Sequence, residues 1–153
     1  QNNGFAISTP SASGVGARSV ADRGAAYGIP GVAVDGNDVI ALRAVLEVAI
    51  ARARAGGGPT LVEARTYRVA GHLVADPAPY RSADEVAEWR SRDPIARLRS
   101  HLVGLGLLDD DADAALRARL RDEVDAAMAQ AIADPDPGPE ALAPGEVFAP
   151  ARA

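Results

Sequence analysis

The chemistry open to this 153-residue chain is narrow. It has no cysteine, which excludes thiolate nucleophiles, disulfides and zinc sites built on sulfur, and its two histidines, His72 and His101, are too few for an all-histidine metal site. A bound metal ion would have to be held by oxygen. Three stretches gather the remaining candidates: the pair Asn2-Asn3, the run Gly71-His72-Leu73-Val74-Ala75-Asp76-Pro77-Ala78-Pro79-Tyr80-Arg81, and Tyr27-Gly28-Ile29-Pro30 with Val34-Asp35-Gly36-Asn37-Asp38. His72 sits between a glycine and an aspartate-bearing loop and is an acid-base candidate, because imidazole changes charge near neutral pH. Each feature also has a plain alternative. An isolated Asn-Asn pair usually makes a turn, a lone histidine is most often a solvated side chain, Ile7 reads as a core residue, and Arg81 belongs to a charge cluster of the kind water solvates. His101 lies within a helical stretch and matches no motif.

The elements that must position these residues follow from pattern. Gly4 to Pro10 reads as a short buried strand, with residues 11 to 18 as a loop and Ser19 to Tyr27 as a short helix closed by Gly28. Gly31 to Asp35 reads as a buried strand. Asn37 is expected to cap the next helix with Asp38 in its first turn, and Val39, Leu42, Val45, Leu46, Ala49, Ile50 and Ala53 give that helix one apolar stripe. Glycines 56 to 58 and Pro59 stop it, and Thr60 to Tyr67 makes a further strand. Strands alternating with helices imply a mostly parallel sheet flanked by helices, an α/β fold whose ligands collect at the carboxyl ends of the strands. Arg68 to Arg81 leaves that edge as a surface loop, which puts His72 there.

Beyond the loop, Ser82-Ala83-Asp84-Glu85 is a capping box opening a helix that carries Val86 and Trp89. Asp93-Pro94 starts another, with Ile95, Leu98 and Leu102 expected to be buried. Asp109-Asp110-Asp111 opens the longest helix, striped by Leu116, Leu120, Val124, Ala127, Met128 and Ala131. The organisation is therefore an α/β part over 1–81, a helical extension over 82–133 and a proline-rich tail over 134–153 that packs through Leu142, Val147 and Phe148.

Composition narrows the partners. Arginine supplies all 16 basic residues against 21 acidic ones, a net charge of −5 with no dense basic patch, so nucleic acid is a poor partner. No apolar run of about 18 residues spans a bilayer and no leader is visible, so the expected location is cytoplasmic with no membrane contact. The chain opens on Gln1 rather than Met, which suggests that it begins inside a larger gene product.

Taken together, Asn2-Asn3, the Gly71 to Arg81 loop and the Tyr27 to Asp38 phrase resemble the alpha subunit of the thiamine-diphosphate-dependent first component of 2-oxo acid dehydrogenase complexes, the pyruvate, acetoin and branched-chain family. The likeness runs from Gln1 to about Ala133 and corresponds to the C-terminal half of that subunit, including part of a thiamine-diphosphate-binding fold. The resemblance implies thiamine diphosphate and magnesium as cofactors, with the metal held by the Asn3 side chain and the Phe5 carbonyl beside an upstream Gly-Asp-Gly segment that is not in this sequence. Ile7, read as lying on the same strand face as Phe5, matches the apolar residue that holds the two cofactor rings bent. His72 matches the loop histidine that lies near the diphosphate and assists acyl transfer to lipoamide, while Arg68, Asp76, Tyr80 and Arg81 match residues that order the loop.

In mitochondrial relatives a regulatory serine follows the loop histidine; here it is Leu73, which has no hydroxyl to phosphorylate. The implied activity is oxidative decarboxylation of a 2-oxo acid, the loop spacing looking closer to pyruvate and acetoin members than to branched-chain ones. The implied partners are a beta subunit in an α2β2 tetramer and a lipoyl-bearing acyltransferase. The alternatives are a branched-chain alpha subunit or a non-catalytic assembly fragment, and the fragment alone is expected to be inactive.

Overall fold

Asparagine, glycine and a sharp turn decide how the chain begins. A computed structural model describes residues 1–139, so Leu142, Val147 and Phe148 lie outside the described residues. Its elements are β1 (Phe5–Ala6), β2 (Thr9–Pro10), α1 (Ser11–Gly14), a 3-10 helix (Val20–Tyr27), β3 (Gly31–Asp35), α2 (Val39–Arg54), β4 (Leu61–Arg65), α3 (Ala83–Ser91), α4 (Pro94–Gly104) and α5 (Asp110–Ala133). The chain divides into two compact units, Gln1–Leu107 and Leu108–Ala153.

The central pair is parallel: β3 and β4 run in register from Gly31↔Leu61 to Asp35↔Arg65, with α2 as the intervening crossover. This mixed α/β arrangement agrees with the alternation read from sequence, but the first strand differs. Instead of one buried strand over Gly4 to Pro10, β1 and β2 pair as a two-rung antiparallel hairpin. Gly4 takes φ 86 and Ile7 takes φ 55, and neither angle is compatible with an extended run. The residue that extends the parallel sheet is Asn2, which bridges to Arg65; its backbone N–H donates to Ala64 O at 2.9 Å and its carbonyl accepts from Thr66 N at 2.9 Å.

Several boundaries also shift. Ser11 to Gly14 forms a single turn of helix within the expected loop. Ser19 to Asp22 forms a complete capping box on the 3-10 helix, which ends at Gly28 in the left-handed region. At Ser82, only the hydroxyl half of the expected box is described, accepting from Glu85 N at 3.1 Å. The cap of α2 is Asp38 rather than Asn37, since the Asp38 carboxylate accepts from Ala41 N at 2.9 Å. Asn37 is buried to 5% exposure. It accepts from Thr66 Oγ1 at 2.7 Å and donates to the Arg92 carbonyl at 3.1 Å, which ties the start of α2 to the end of β4 and to the residue following α3.

Apolar burial is thinner than the periodicities imply. Ala21, at 5% exposure, is the only hydrophobic residue among those described that is buried. β3 is exposed apart from Val34, α2 half-buries Leu42, Val45 and Ala49 while Leu46 and Ile50 stay exposed, and Ile95 is 63% exposed although Leu98 and Leu102 are half-buried. Amphipathic pattern marks a face meant for covering, and these faces are not covered within the described residues. Considered by itself, α5 is capped by Asp109 and laced by Arg117–Asp113 and Arg119–Glu123 pairs at 3.0 and 2.8 Å. Such exposed i,i+4 pairs stabilise a helix by only a few tenths of a kcal/mol each. No described helix is long and apolar enough to cross a membrane.

What fixes the N-terminal segment is a charge. The Glu63 side chain, in the middle of β4, is 2% exposed. Its Oε1 accepts from Asn2 Nδ2 at 2.7 Å, and its Oε2 accepts from the Ser19 hydroxyl and from Ala21 N at 3.2 Å. Burial alone would push this carboxyl up, but the hydrogen bonds from Ser19, Asn2 and Ala21, with Arg65 3.7 Å away, outweigh it and hold the pKa at about 2. Glu63 therefore stabilises the fold fully above the unfolded value of 4.5, and that contribution fades as pH falls from 4.5 towards 2. At neutral pH it amounts to at most about 3 kcal/mol. Urea denaturation should show wild-type stability falling by about 2 to 3 kcal/mol more than that of Glu63→Gln between about pH 5 and pH 2; parallel pH profiles for the two proteins would refute the clamp.

Candidate active site

The segment leaving the carboxyl end of β4 has no regular structure over residues 68–81, so side chains must hold it. Asp76 is its anchor. One carboxylate oxygen accepts from Ala78 N at 2.8 Å, and the other accepts from His72 N at 2.8 Å and from the Tyr80 hydroxyl at 2.6 Å. The Tyr80 bond, then the two backbone bonds, hold the Asp76 carboxyl well below its ordinary value, at about 2. Gly71 makes this closure possible, because a Cβ there would lie 2.6 Å from the Asp76 carbonyl oxygen. Arg81 fastens the other end by donating to the Arg68 carbonyl and, at 3.2 Å, to the Val69 carbonyl.

Arg68 joins this loop to the N-terminal hairpin. Its backbone N–H donates to the Asn3 carbonyl at 3.4 Å. Its guanidinium donates to the Ile7 carbonyl and to the Tyr80 hydroxyl at 2.9 Å, and Nη1 lies 3.4 Å from His72 Nδ1. One residue thus touches Asn3, Ile7, His72 and Tyr80. Asp76 and Arg81 complete the same network, so the loop residues singled out in the sequence come together as a group.

Ile7 reaches the site by a different route from the one expected. It does not share a strand face with Phe5; it stands at the hairpin turn, 60% exposed, in a backbone conformation that a β-branched residue rarely adopts. That turn carries it against the loop, where Ile7 and Ser8 from the hairpin and His72, Asp76 and Tyr80 from the loop line a cavity of about 390 Å³. His72 and Leu73 are both exposed at this cavity. His101 is elsewhere, in a larger cleft of about 730 Å³ between α2 and α4.

The asparagines divide their work. Asn2 is structural: besides serving Glu63, its Oδ1 accepts from Gly4 N at 3.2 Å and from Ser11 Oγ at 3.4 Å. Asn3 Oδ1 accepts a single bond, from Phe5 N at 3.2 Å, leaving a lone pair on a neutral, hard oxygen. Among the described residues no three His, Cys, Asp or Glu side chains cluster as a metal site. A cation near Asn3 and the Phe5 carbonyl would therefore draw most of its shell from other oxygens, and magnesium commonly does so by using phosphate and water.

Sequence reasoning missed the supports. Glu63 was detectable as an acid in the middle of a strand flanked by Leu61, Val62 and Ala64, and Asn37 reads from sequence as a cap rather than a tie. The aromatic row was also overlooked: Phe5 lies edge-on to Tyr67 at 5.7 Å and packs on Tyr80 at 5.6 Å, and Tyr67 stacks on Trp89 at 5.2 Å. This row runs from the hairpin through the end of β4 to α3, with Arg81 over both tyrosine rings.

Comparison with known proteins gives an independent view. The family model for the dehydrogenase E1 component matches residues 1–140. The chain is 48% identical over 122 residues to the 3-methyl-2-oxobutanoate dehydrogenase subunit alpha of Mycobacterium tuberculosis, covering 79% of this chain and 33% of that protein. It is 42% identical over 133 residues to the pyruvate dehydrogenase E1 component subunit alpha of Staphylococcus aureus, covering 86% of this chain and 36% of that protein. The chain thus spans about a third of the length of the curated relatives it matches.

The network makes loop order depend on Asp76. Asp76→Asn removes the charge that holds three donors, and tryptic cleavage after Arg68 and Arg81 should accelerate about tenfold. Unchanged cleavage kinetics would show that the loop is ordered by something else.

Proposed function

The chain belongs to the dehydrogenase E1 component family, and from that premise we propose that it contributes one wall of the active site of a 2-oxo acid dehydrogenase alpha subunit that uses thiamine diphosphate and magnesium. The observation that carries the reading is the meeting of Asn3, Ile7 and His72 on Arg68, beside a cavity bounded by the hairpin tip and the loop. In this reading the α/β part over 1–81 belongs to a thiamine-diphosphate-binding fold, and residues 82–133 extend it. The activity is oxidative decarboxylation with acyl transfer to lipoamide, carried out with a beta subunit and a lipoyl-bearing acyltransferase in the cytoplasm.

Each residue has a part that its chemistry suits. Asn3 Oδ1 and the Phe5 carbonyl would hold magnesium, two neutral oxygens that leave the ion's charge free to neutralise diphosphate. Ile7 would supply an apolar surface for the cofactor rings. When bound, thiamine diphosphate supplies the electron sink that lets the carboxylate leave as carbon dioxide. His72 lines the cavity, where its ring would hydrogen-bond an oxygen of an incoming group. Leu73 leaves the position after the histidine without a phosphorylatable hydroxyl.

Of the two substrate classes named among the relatives, the higher identity favours a branched-chain 2-oxo acid over pyruvate, the opposite of the preference drawn from loop spacing. Turnover of 3-methyl-2-oxobutanoate against pyruvate, with an artificial electron acceptor and the beta subunit present, decides between them; a higher kcat/KM for pyruvate would favour the class that the loop spacing indicates.

Two substitutions in the full-length subunit test the site itself. Asn3→Ala should weaken magnesium-dependent binding of thiamine diphosphate by at least about tenfold in calorimetry, and unchanged affinity would remove Asn3 from the metal shell. His72→Ala should keep cofactor affinity within about threefold while lowering acylation of a lipoyl domain by about a hundredfold or more; full acylation would discard its role.

A further inference from the structure

An arginine side chain can only donate: its guanidinium carries five N–H groups, no acceptor, and a charge that is never lost in a folded protein. A histidine ring is the opposite kind of group, because in its neutral form one nitrogen donates, the other accepts, and the neighbourhood decides which does which. Arg68 Nη1 lies 3.4 Å from His72 Nδ1. With a proton on Nδ1 the two groups would face each other donor to donor at that distance; with Nδ1 bare, the guanidinium has an acceptor. The contact is not incidental to the loop. Arg68 is held from other directions by the Ile7 carbonyl and the Tyr80 hydroxyl, so the guanidinium does not turn away freely, and the backbone N–H of His72 is bound to Asp76, which fixes where the ring is attached.

From this geometry we infer that Arg68 is a positioning residue that fixes which nitrogen of His72 carries the proton: Nδ1 bare and facing Arg68, Nε2 protonated and left to meet whatever enters the cavity. The inference deepens the reading of His72 given above and rests on it for its functional meaning. With the ring in its neutral form, His72 then presents an N–H donor suited to an anionic oxygen, a diphosphate or carboxylate oxygen by chemistry, and not a base. To act as a full proton donor it must first gain a proton on Nδ1, which requires the guanidinium to move off that nitrogen. Arg68 thereby links the hairpin tip at Ile7 to the protonation pattern of the ring across the cavity.

Histidine-labelled protein and long-range proton–nitrogen correlation spectra at about pH 8, where an ordinary imidazole is neutral, test this directly. The His72 signals are identified by their loss in His72→Gln, and those of His101 serve as an internal reference. The wild type should show an unprotonated Nδ1 and a protonated Nε2. Arg68→Met should move both nitrogens towards averaged shifts, as the Nδ1-protonated form gains about tenfold relative to the other. Tyr80→Phe loosens the loop at Asp76 and at Arg68 but leaves the guanidinium opposite His72, so its spectrum should resemble the wild type. A wild type with protonated Nδ1, identical shifts in wild type and Arg68→Met, or averaging in Tyr80→Phe equal to that in Arg68→Met would each overturn the inference. These spectra need no cofactor, so their outcome is separable from that of the binding measurements on Asn3→Ala.

Discussion

A carboxylate taken out of water must be given donors, and Glu63 collects them from two pieces of chain that are remote in sequence: the side chain of Asn2, and the Ser19 hydroxyl with the Ala21 amide. Burying one charge on the inner face of β4 thus obliges the N-terminal segment and the 3-10 helix to meet there. Apolar contact could not do the same, because hydrophobic attraction has no direction and few apolar side chains in the described residues are deeply buried. Hydrogen bonds have direction. They set Asn2 beside β4, and with Asn2 set, the carbonyl of Asn3 falls within reach of the Arg68 amide.

The same device recurs along the carboxyl edge of the sheet. Arg97 on α4 reaches Asp35 at 2.9 Å and Asp38 at 3.0 Å, while buried Asn37 joins Thr66 to Arg92. Burial pushes the Asp35 carboxyl up, but the Arg97 bond and the Asn37 amide more than compensate and lower it. Polar ties of this kind stabilise modestly when half-exposed, yet each excludes alternative placements of the loops that carry the site. The edge holds loops in place by charge and amide, and the aromatic row gives them a surface to lie on.

Legibility in the sequence followed the physics of each feature. β3, α2, β4 and the three later helices were readable because period, caps and breakers are local signals, and Asp93-Pro94 and Asp109 fell where they were expected. The hairpin was not, since Gly4 to Pro10 carries apolar residues in strand-like order and nothing local announces a positive φ at Ile7. Asn37 and Asp38 both make good caps, so sequence alone could not say which would be drawn away to Thr66. The loop cluster was legible only through likeness to a family: Arg68, Asp76, Tyr80 and Arg81 look like a solvated cluster until they close on one another. Glu63 needed knowledge of what lies across the sheet from it, which no window of neighbouring residues contains.

The distances in sequence spanned by these ties bear on how the protein is made. Asn2 lies 61 residues before Glu63, and Ile7 lies 61 residues before Arg68. At a ribosomal rate of about 5 to 20 residues per second, the hairpin emerges roughly 3 to 12 s ahead of the groups that will hold it. Throughout that interval the Ile7 backbone has nothing to keep it in its uncommon angle, and contacts closing loops of this length form slowly. The hairpin corner is therefore among the parts of the molecule that translation leaves waiting long for their partners.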